Sequence, residues 1–307
     1  MKACSSQMGS SSEGAAIVSR GETIGGTCES NPAEARIIAA NRDFFQQIAG
    51  KYDSYESCSS DRFLQNILEA DLERIHSCFA SQERKPRCLD CGGGTGNLAL
   101  KLLARGWDVT VVDNSEEMLD AFAKKADAKG FVPKVIGSSI EQFLAATRGA
   151  FDLVAFSSVL HHLYSYPRVV GLAATRVHPG GFFYSNFDPV IARNPFWTHA
   201  FDSIEIAAAK VVADPRDVLP GIWRRTRKLF RRHDSQFSRP VVWAGDLAEY
   251  HAKTGVDDWQ IMRLLESKGF AIVEHTRYPV GRTRAGQILN KRLRLLENFK
   301  VIARRGE

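Results

Sequence analysis

The chain has 307 residues, 44% hydrophobic and 25% charged, with a formal net charge of +6 and a pI near 9.0. This is an ordinary soluble globular composition, long enough to bury one sizeable core and carry an insertion. It excludes a bilayer-spanning helix, since no apolar run reaches the roughly 18 residues one needs, and the positive charge permits an anionic partner without requiring it.

Residues 1–30 are rich in Ser and Gly, have no continuous apolar stretch and include Glu13, Glu22 and Glu29. They read as a disordered tail and not as a signal peptide; the acids also argue against an organelle transit peptide. Order is expected from Asn31-Pro32-Ala33-Glu34, where an N-cap residue, a proline at the first helical position and a first-turn glutamate coincide. The helix carries Ile37, Ile38, Phe44, Phe45 and Ile48 and ends near Gly50. A polar-aromatic turn, Tyr52-Asp53-Ser54-Tyr55, precedes a second helix over about 60–79 with Phe63, Ile67, Leu68, Leu72 and Ile75 on one face. Residues 31–84 are therefore expected to form a helical lid over the ligand edge of a sheet. Tyr52 or Tyr55 then either closes on the ligand or simply packs.

The most informative stretch follows an apolar run: Asp90-Cys91-Gly92-Gly93-Gly94-Thr95-Gly96. A strand that stops, turns on glycines and hands over to a helix presents free N–H groups to a nucleoside or anionic ligand. A dinucleotide fingerprint starting at Gly92 and Gly94 requires a third glycine at position 97, which is Asn97. The next strand, Asp108 to Val112, stops at Asp113, about twenty residues past the turn. A carboxylate there can accept both ribose hydroxyls of an adenosyl group. Cys88 and Cys91 flank the strand end without a second Cys or His pair at ligand spacing, so no metal site is expected.

Strand and helix then alternate as in a doubly wound domain. A helix over 115–129 turns Met118, Leu119 and Phe122 inward. A strand over 131–136, a short helix over 140–146 and a strand over 151–157 follow. The loop Gly137-Ser138-Ser139-Ile140 falls at a strand's carboxyl end, where open parallel sheets bind ligands. The exit of the fourth strand reads F-D-L-V-A-F-S-S-V-L-H-H-L, Phe151 to Leu163, and Val177-His178-Pro179-Gly180-Gly181 precedes a strand over 182–187. His161 and His162 stand just beyond the fourth strand. Either one facing the ligand would suit a general base, with His161 the candidate.

The D-x-G-x-G-x-G turn with Asp113, the segment ending in H-H-L and the H-P-G-G turn together resemble the class I S-adenosylmethionine-dependent methyltransferases. The likeness is to the subgroup of ubiquinone and menaquinone biosynthesis enzymes and small-molecule methyltransferases. It covers about residues 44–187 and the last forty or so. It implies a Rossmann-like α/β fold, seven-stranded and mostly parallel with an antiparallel last strand. It also implies S-adenosyl-L-methionine as cofactor, leaving S-adenosyl-L-homocysteine. The site so implied comprises Asp90, Gly92, Gly94, Thr95, Gly96, Asp113, Asn114, Met118, Ser139, Ile140 and Ser157. Where that pattern often has an acid or amide meeting the adenine amino group, this chain has serine. Adenine recognition is thus expected to rest on a hydroxyl and the Ile140 N–H.

Residues 85–187 are the expected cofactor core and 188–254 an acceptor-determining insertion. Within it, Ile222 to His233 reads as a basic amphipathic helix, suited to a membrane interface, an acidic carrier protein or simple packing. The core resumes over 255–307, with a helix over 255–268, strands over 270–275 and 299–303, and a basic, partly helical elaboration over 282–294. The expected function is methyl transfer to an oxygen or carbon of a small or lipid-like acceptor, in the cytoplasm or peripheral to a membrane. The missing N/D-P-P-Y/F/W segment disfavours exocyclic base amines. An RNA methyltransferase, encouraged by the charge and by H-H-L, and a non-catalytic cofactor-binding scaffold are the alternatives. Nucleic acid is disfavoured because no RNA module accompanies the domain.

Overall fold

The computed structural model describes residues 18–19, 31–191, 248, 250–251, 254–281, 284–293 and 297–307. The amphipathic segment Ile222 to His233 lies outside the described residues. No described helix is long and apolar enough to cross a membrane.

The core is one open sheet. Its strands are β1 (Val18–Ser19), β2 (Arg87–Cys91), β3 (Asp108–Asp113), β4 (Lys134–Gly137), β5 (Phe151–Ser157), β6 (Val177–Pro189), β7 (Phe270–Pro279) and β8 (Glu297–Arg305). They lie in the order β1-β4-β3-β2-β5-β6-β8-β7. Strands β2 to β6 pair in parallel, and β8 runs antiparallel to both neighbours. Seven strands make the expected sheet with its antiparallel last strand. The eighth is a two-residue pairing of Val18 and Ser19 along β4, inside the segment expected as a tail.

The helices are α1 (Pro32–Ile48), α2 (Tyr52–Tyr55), α3 (Ser57–Ser60), α4 (Arg62–Ser77), α5 (Ala99–Ala104), α6 (Glu116–Asp127), α7 (Ile140–Ala146), α8 (Tyr166–Ala174), α9 (Asp258–Ser267) and α10 (Arg284–Leu293). Asn31, Asp61, Ser115, Ser139 and Asp257 cap five of them through their side chains, satisfying N–H groups that the helix itself leaves unpaired. Two apolar layers sandwich the sheet. One joins Phe156 and Phe183 to α7, α8 and α9, and the other joins Val109 and Tyr184 to α4, α5 and α6.

The second layer takes in α4 of the segment expected as a lid. Leu68, Leu72 and Ile75 of α4 are fully buried. Tyr184 Oη donates to Asp71 Oδ2 at 2.9 Å, and Lys300 Nζ bridges Asp71 at 2.5 Å and Glu274 at 2.8 Å. A helix with a wide apolar face is held by a sheet face, so α4 is part of the sandwich. From the segment before β2, α1 and Tyr52 line the main cleft, and Cys58 and Ser59 of α3 line the cavity beside it.

The Val177-to-Gly181 turn is absorbed into β6. Phe151 pairs with Val177 but Leu153 with Phe182, so His178 to Gly181 bulge out of register, with Gly180 at φ +76°. The strands at the far edge run longer than their apolar residues suggest, β7 to Pro279 and β8 from Glu297.

Candidate functional site

Strands β3 and β4 lie on one side of β2, and β5 and β6 on the other. The strand order therefore reverses between β2 and β5, and ligands bind beyond the carboxyl ends at such a switch point. The glycine turn occupies that point. Gly92 N–H donates to the Val112 carbonyl at 2.7 Å, bending the chain back over β3. Gly94, at φ +52°, aims its N–H at Asp113 Oδ2, 2.9 Å away. Gly96 has φ +86°, and a Cβ there would lie 2.2 Å from the Phe122 ring, so this position admits α6 only as glycine.

A cleft partly open to solvent follows the turn. Of the predicted residues, Gly92, Gly94, Asp113, Asn114, Met118, Ser139 and Ile140 line it. Asp90, Thr95 and Ser157 line an adjoining cavity that shares Tyr52, Gly92 and Gly94 with the cleft. Gly96 lines neither. The Asp113 carboxylate accepts from Gly94 N–H and, through Oδ1, from Ser115 N–H at 2.9 Å. Burial pushes its pKa up and these donors pull it back. A carboxylate has about four lone-pair sites, so two such bonds leave room for ribose hydroxyls.

Three predicted side chains have their bonding directed elsewhere. Thr95 Oγ1 donates to Asp53 Oδ1 at 2.5 Å, and Asp53 also holds Lys125 at 2.7 Å, clamping α2 to the turn. Asn114 Nδ2 donates to the Ile38 carbonyl at 3.1 Å, fastening α1 over the cleft. The Ser139 hydroxyl accepts the Gln142 N–H as the α7 cap. Asp90 is the reverse case. It is fully buried, and neither carboxylate oxygen makes a hydrogen bond. Burial, and after it the charge of Asp113, push its pKa up to about 7.

The two neighbouring histidines take different places. His161 is buried, its Nδ1 2.7 Å from Asp188 Oδ1 and its N–H donating to the same oxygen at 3.1 Å. It does not line the cleft. His162 does, with its ring 3.9 Å from the His161 ring and edge-on to Phe45 at 5.1 Å. Asp188 draws His161 inward because a buried carboxylate requires a partner. Nδ1 of His162 donates to the Ala248 carbonyl at 2.7 Å, which makes Nε2 its basic nitrogen.

Ile38, Asn41, Phe45, Glu141, Ser158 and Val159 also line the cleft, and the sequence reading missed all of them as site residues. Ile38, Asn41 and Phe45 share one face of α1 at helical spacing, a signal that was available. Ser158, at φ +62°, had no such signal. Tyr52 lines both cavities, 6.0 Å from Phe45; the side chain of Tyr55 lies outside the described residues. Cys88 and Cys91 are buried free thiols whose pKa burial raises well above the ordinary value. No group of side chains suited to a metal occurs among the described residues.

The seven core strands in this order, with the glycine turn and acid at the switch point, define a class I, Rossmann-like methyltransferase fold. Residues 89–185 match the methyltransferase domain family. Over 140 residues it is 30% identical to the tRNA 5-carboxymethoxyuridine methyltransferase of Escherichia coli K12, covering 45% of this chain and 53% of that protein. Over 142 residues it is 29% identical to the ubiquinone biosynthesis O-methyltransferase of Chromobacterium violaceum, covering 46% and 60%. The chain thus spans little more than half the length of these relatives. Among solved structures it is similar to the N-methyltransferase NodS of Bradyrhizobium japonicum in complex with S-adenosyl-L-homocysteine. There the TM-score is 0.53 at 13% identity, covering 87% of this chain and all of that one, a likeness of fold.

Proposed function

We propose that the protein is an S-adenosylmethionine-dependent methyltransferase acting on an oxygen or carbon of a small or lipid-like acceptor. The observation that carries this is the joint placement of the glycine turn, Asp113 and the unpaired Asp90 around two connected cavities. The residues fit an adenosyl group with a cationic tail. Asp113 holds open acceptor sites beside Met118 and Ile140, and the buried Asp90 carboxyl has no ion-pair partner among the described residues. When bound, the cofactor supplies a methyl group on a positively charged sulfur.

The chain contributes positioning and a dry site, which is most of what such a transfer needs. Phe45, Tyr52 and Leu163 form an apolar wall beside His162. An acceptor hydroxyl or acidic carbon placed there would be held in line to receive that methyl group, with the glycine turn and Asp113 holding the cofactor that would supply it. Nε2 of His162 takes the acceptor's proton, a role that passes from His161 to its neighbour. Calorimetric titration with S-adenosylhomocysteine, followed by incubation with methyl-labelled cofactor and a fractionated lysate, tests the reading. Label in the lipid or small-molecule fraction is expected. Absence of any binding heat would sink the proposal.

The likeness to the transfer-RNA enzyme favours a second reading, in which the acceptor is RNA. Label in the RNA fraction, with binding that weakens steeply as salt rises, would establish it. Cofactor binding without transfer to any fraction would instead mark a scaffold.

A further inference from the structure

We propose that α10 seats this protein on an anionic lipid surface beside the mouth of its cleft; the inference deepens the lipid-like acceptor reading above and rests on it for its purpose. A helix on a protein surface ordinarily turns its apolar stripe to the core and its polar side chains to water. Among its described side chains α10 does the reverse. Asn290 is fully buried, its amide donating to the Val280 carbonyl at 2.8 Å. Gln287 donates to the Gly281 carbonyl and to Asp61 Oδ2, each at 3.1 Å, and Gly286 is buried on the same side. Ile288, Leu289 and Leu293 face outward, 60%, 46% and 54% exposed.

Helical spacing sets these three with Lys291 and Arg292 on one arc, and both cations are exposed. Residues 280–295 hold five lysines and arginines and no acid. Aliphatic side chains between cations fit the boundary of a bilayer, where the first enter the acyl region and the second meet anionic headgroups. RNA would satisfy the cations and leave three aliphatic side chains against phosphate. A second copy docked through the same patch would set basic helix on basic helix. The segment Ile222 to His233 of this chain is basic as well.

Topology places this patch at the cleft. Strand β7 runs antiparallel to β8, and β8 antiparallel to β6, so β7 ends on the same edge of the sheet as β6. Helix α10 follows β7 and therefore stands at the edge where the parallel strands present their carboxyl ends. Its Gln287 reaches Asp61, the cap of α4, which follows the α3 residues Cys58 and Ser59 that line the cavity beside the cleft. Phe63, in the first turn of α4, is itself 47% exposed. A protein resting on α10 thus holds its cleft beside the interface in which a lipid-like acceptor is dissolved.

The test is sedimentation of the full chain with vesicles of phosphatidylcholine, alone or with about one third phosphatidylglycerol. Wild type is expected to bind the mixed vesicles at least about tenfold more tightly than the neutral ones, and more weakly as salt rises. The triple variant Ile288→Ser, Leu289→Ser, Leu293→Ser should lose at least about tenfold on mixed vesicles. The double variant Lys291→Glu, Arg292→Glu should lose most of the preference for them. All five side chains are exposed, so thermal unfolding midpoints close to wild type are expected and show that the fold is kept. Wild-type vesicle affinity in either variant overturns the inference, because another surface then holds the lipid. A wild type that binds no vesicle also overturns it, whether the face proves to take RNA or a second copy. Calorimetry with S-adenosylhomocysteine keeps the two readings apart: no binding heat, with vesicle binding as expected, overturns the methyl-donor reading alone.

Discussion

Replacing Asp90 by Asn changes a charge and almost nothing of shape, at a buried carboxyl that meets no hydrogen-bond partner among the described residues. In the folded chain its pKa is pushed from 3.8 to about 7 by burial and by Asp113. The folded state therefore holds this proton more tightly than the unfolded state does. Stability must fall as pH rises from about 4 to about 7 and stay level above that. At about 1.36 kcal/mol per pH unit the ionised side chain costs the folded state about 4 kcal/mol at pH 8. The Asn amide carries its own penalty for unmet hydrogen bonds, about 1–3 kcal/mol, but this does not vary with pH. The readout is consequently the change in the difference between the two proteins, measured by urea denaturation at pH 4.5 and pH 8. Asp90→Asn should gain roughly 3 to 4 kcal/mol on wild type across that interval. It should also bind S-adenosylhomocysteine more weakly at pH 8, because the ligand's ammonium loses its counter-charge. Parallel stability curves across the interval would refute the reasoning, since they would mean that Asp90 does not ionise in a buried, uncompensated place.

Asp113→Ala should raise the dissociation constant for S-adenosylhomocysteine at least about tenfold by calorimetry, and an unchanged value would remove Asp113 from the ribose site. Gly96→Ala sets a Cβ 2.2 Å from the Phe122 ring at φ +86° and should lower stability by more than about 2 kcal/mol. Phe122→Leu in the same chain should recover part of that loss; strictly additive losses would count against the contact. His162→Gln should cut turnover by about a hundredfold while cofactor affinity stays within about twofold, and it should flatten the acid limb of the pH–rate profile. Full activity would show that no base is needed at this position. His161→Asn should act first on stability, costing about 3 kcal/mol because Asp188 is left buried without its imidazole. A variant as stable as wild type would mean that the Asp188 pair contributes nothing.

The sheet and the cofactor turn were legible because their signals are local. Glycines at positions 92, 94 and 96 and an acid closing the next strand are constraints that a few neighbouring residues impose on one another. The same holds for the N-caps at Asn31, Ser115 and Ser139, and for the alternation of strand and helix from Arg87 to Ser157. Even there, local chemistry does not report where each polar group bonds. Thr95, Asn114 and Ser139 carry polar groups in the right loops, yet their bonds hold the lid and the helices together. Strand ends also moved, because β7 and β8 lengthen each other by pairing, which their own apolar residues do not report.

By itself, then, the sequence determined that an open α/β sheet would present a glycine turn and a carboxylate to an adenosyl-like ligand, since turns, caps and hydrophobic periods are written within a few residues. Only the tertiary structure decided which of two adjacent histidines faces the cleft, that α4 packs on the sheet, and that Glu141 lines the cleft. Each of those depends on a partner far along the chain. Asp188 takes His161, Tyr184 and Lys300 hold α4 through Asp71, and Glu34 and Arg168 surround Glu141. Burial of a charged or polar side chain is settled by what meets it in space, and spacing along the chain does not encode that meeting.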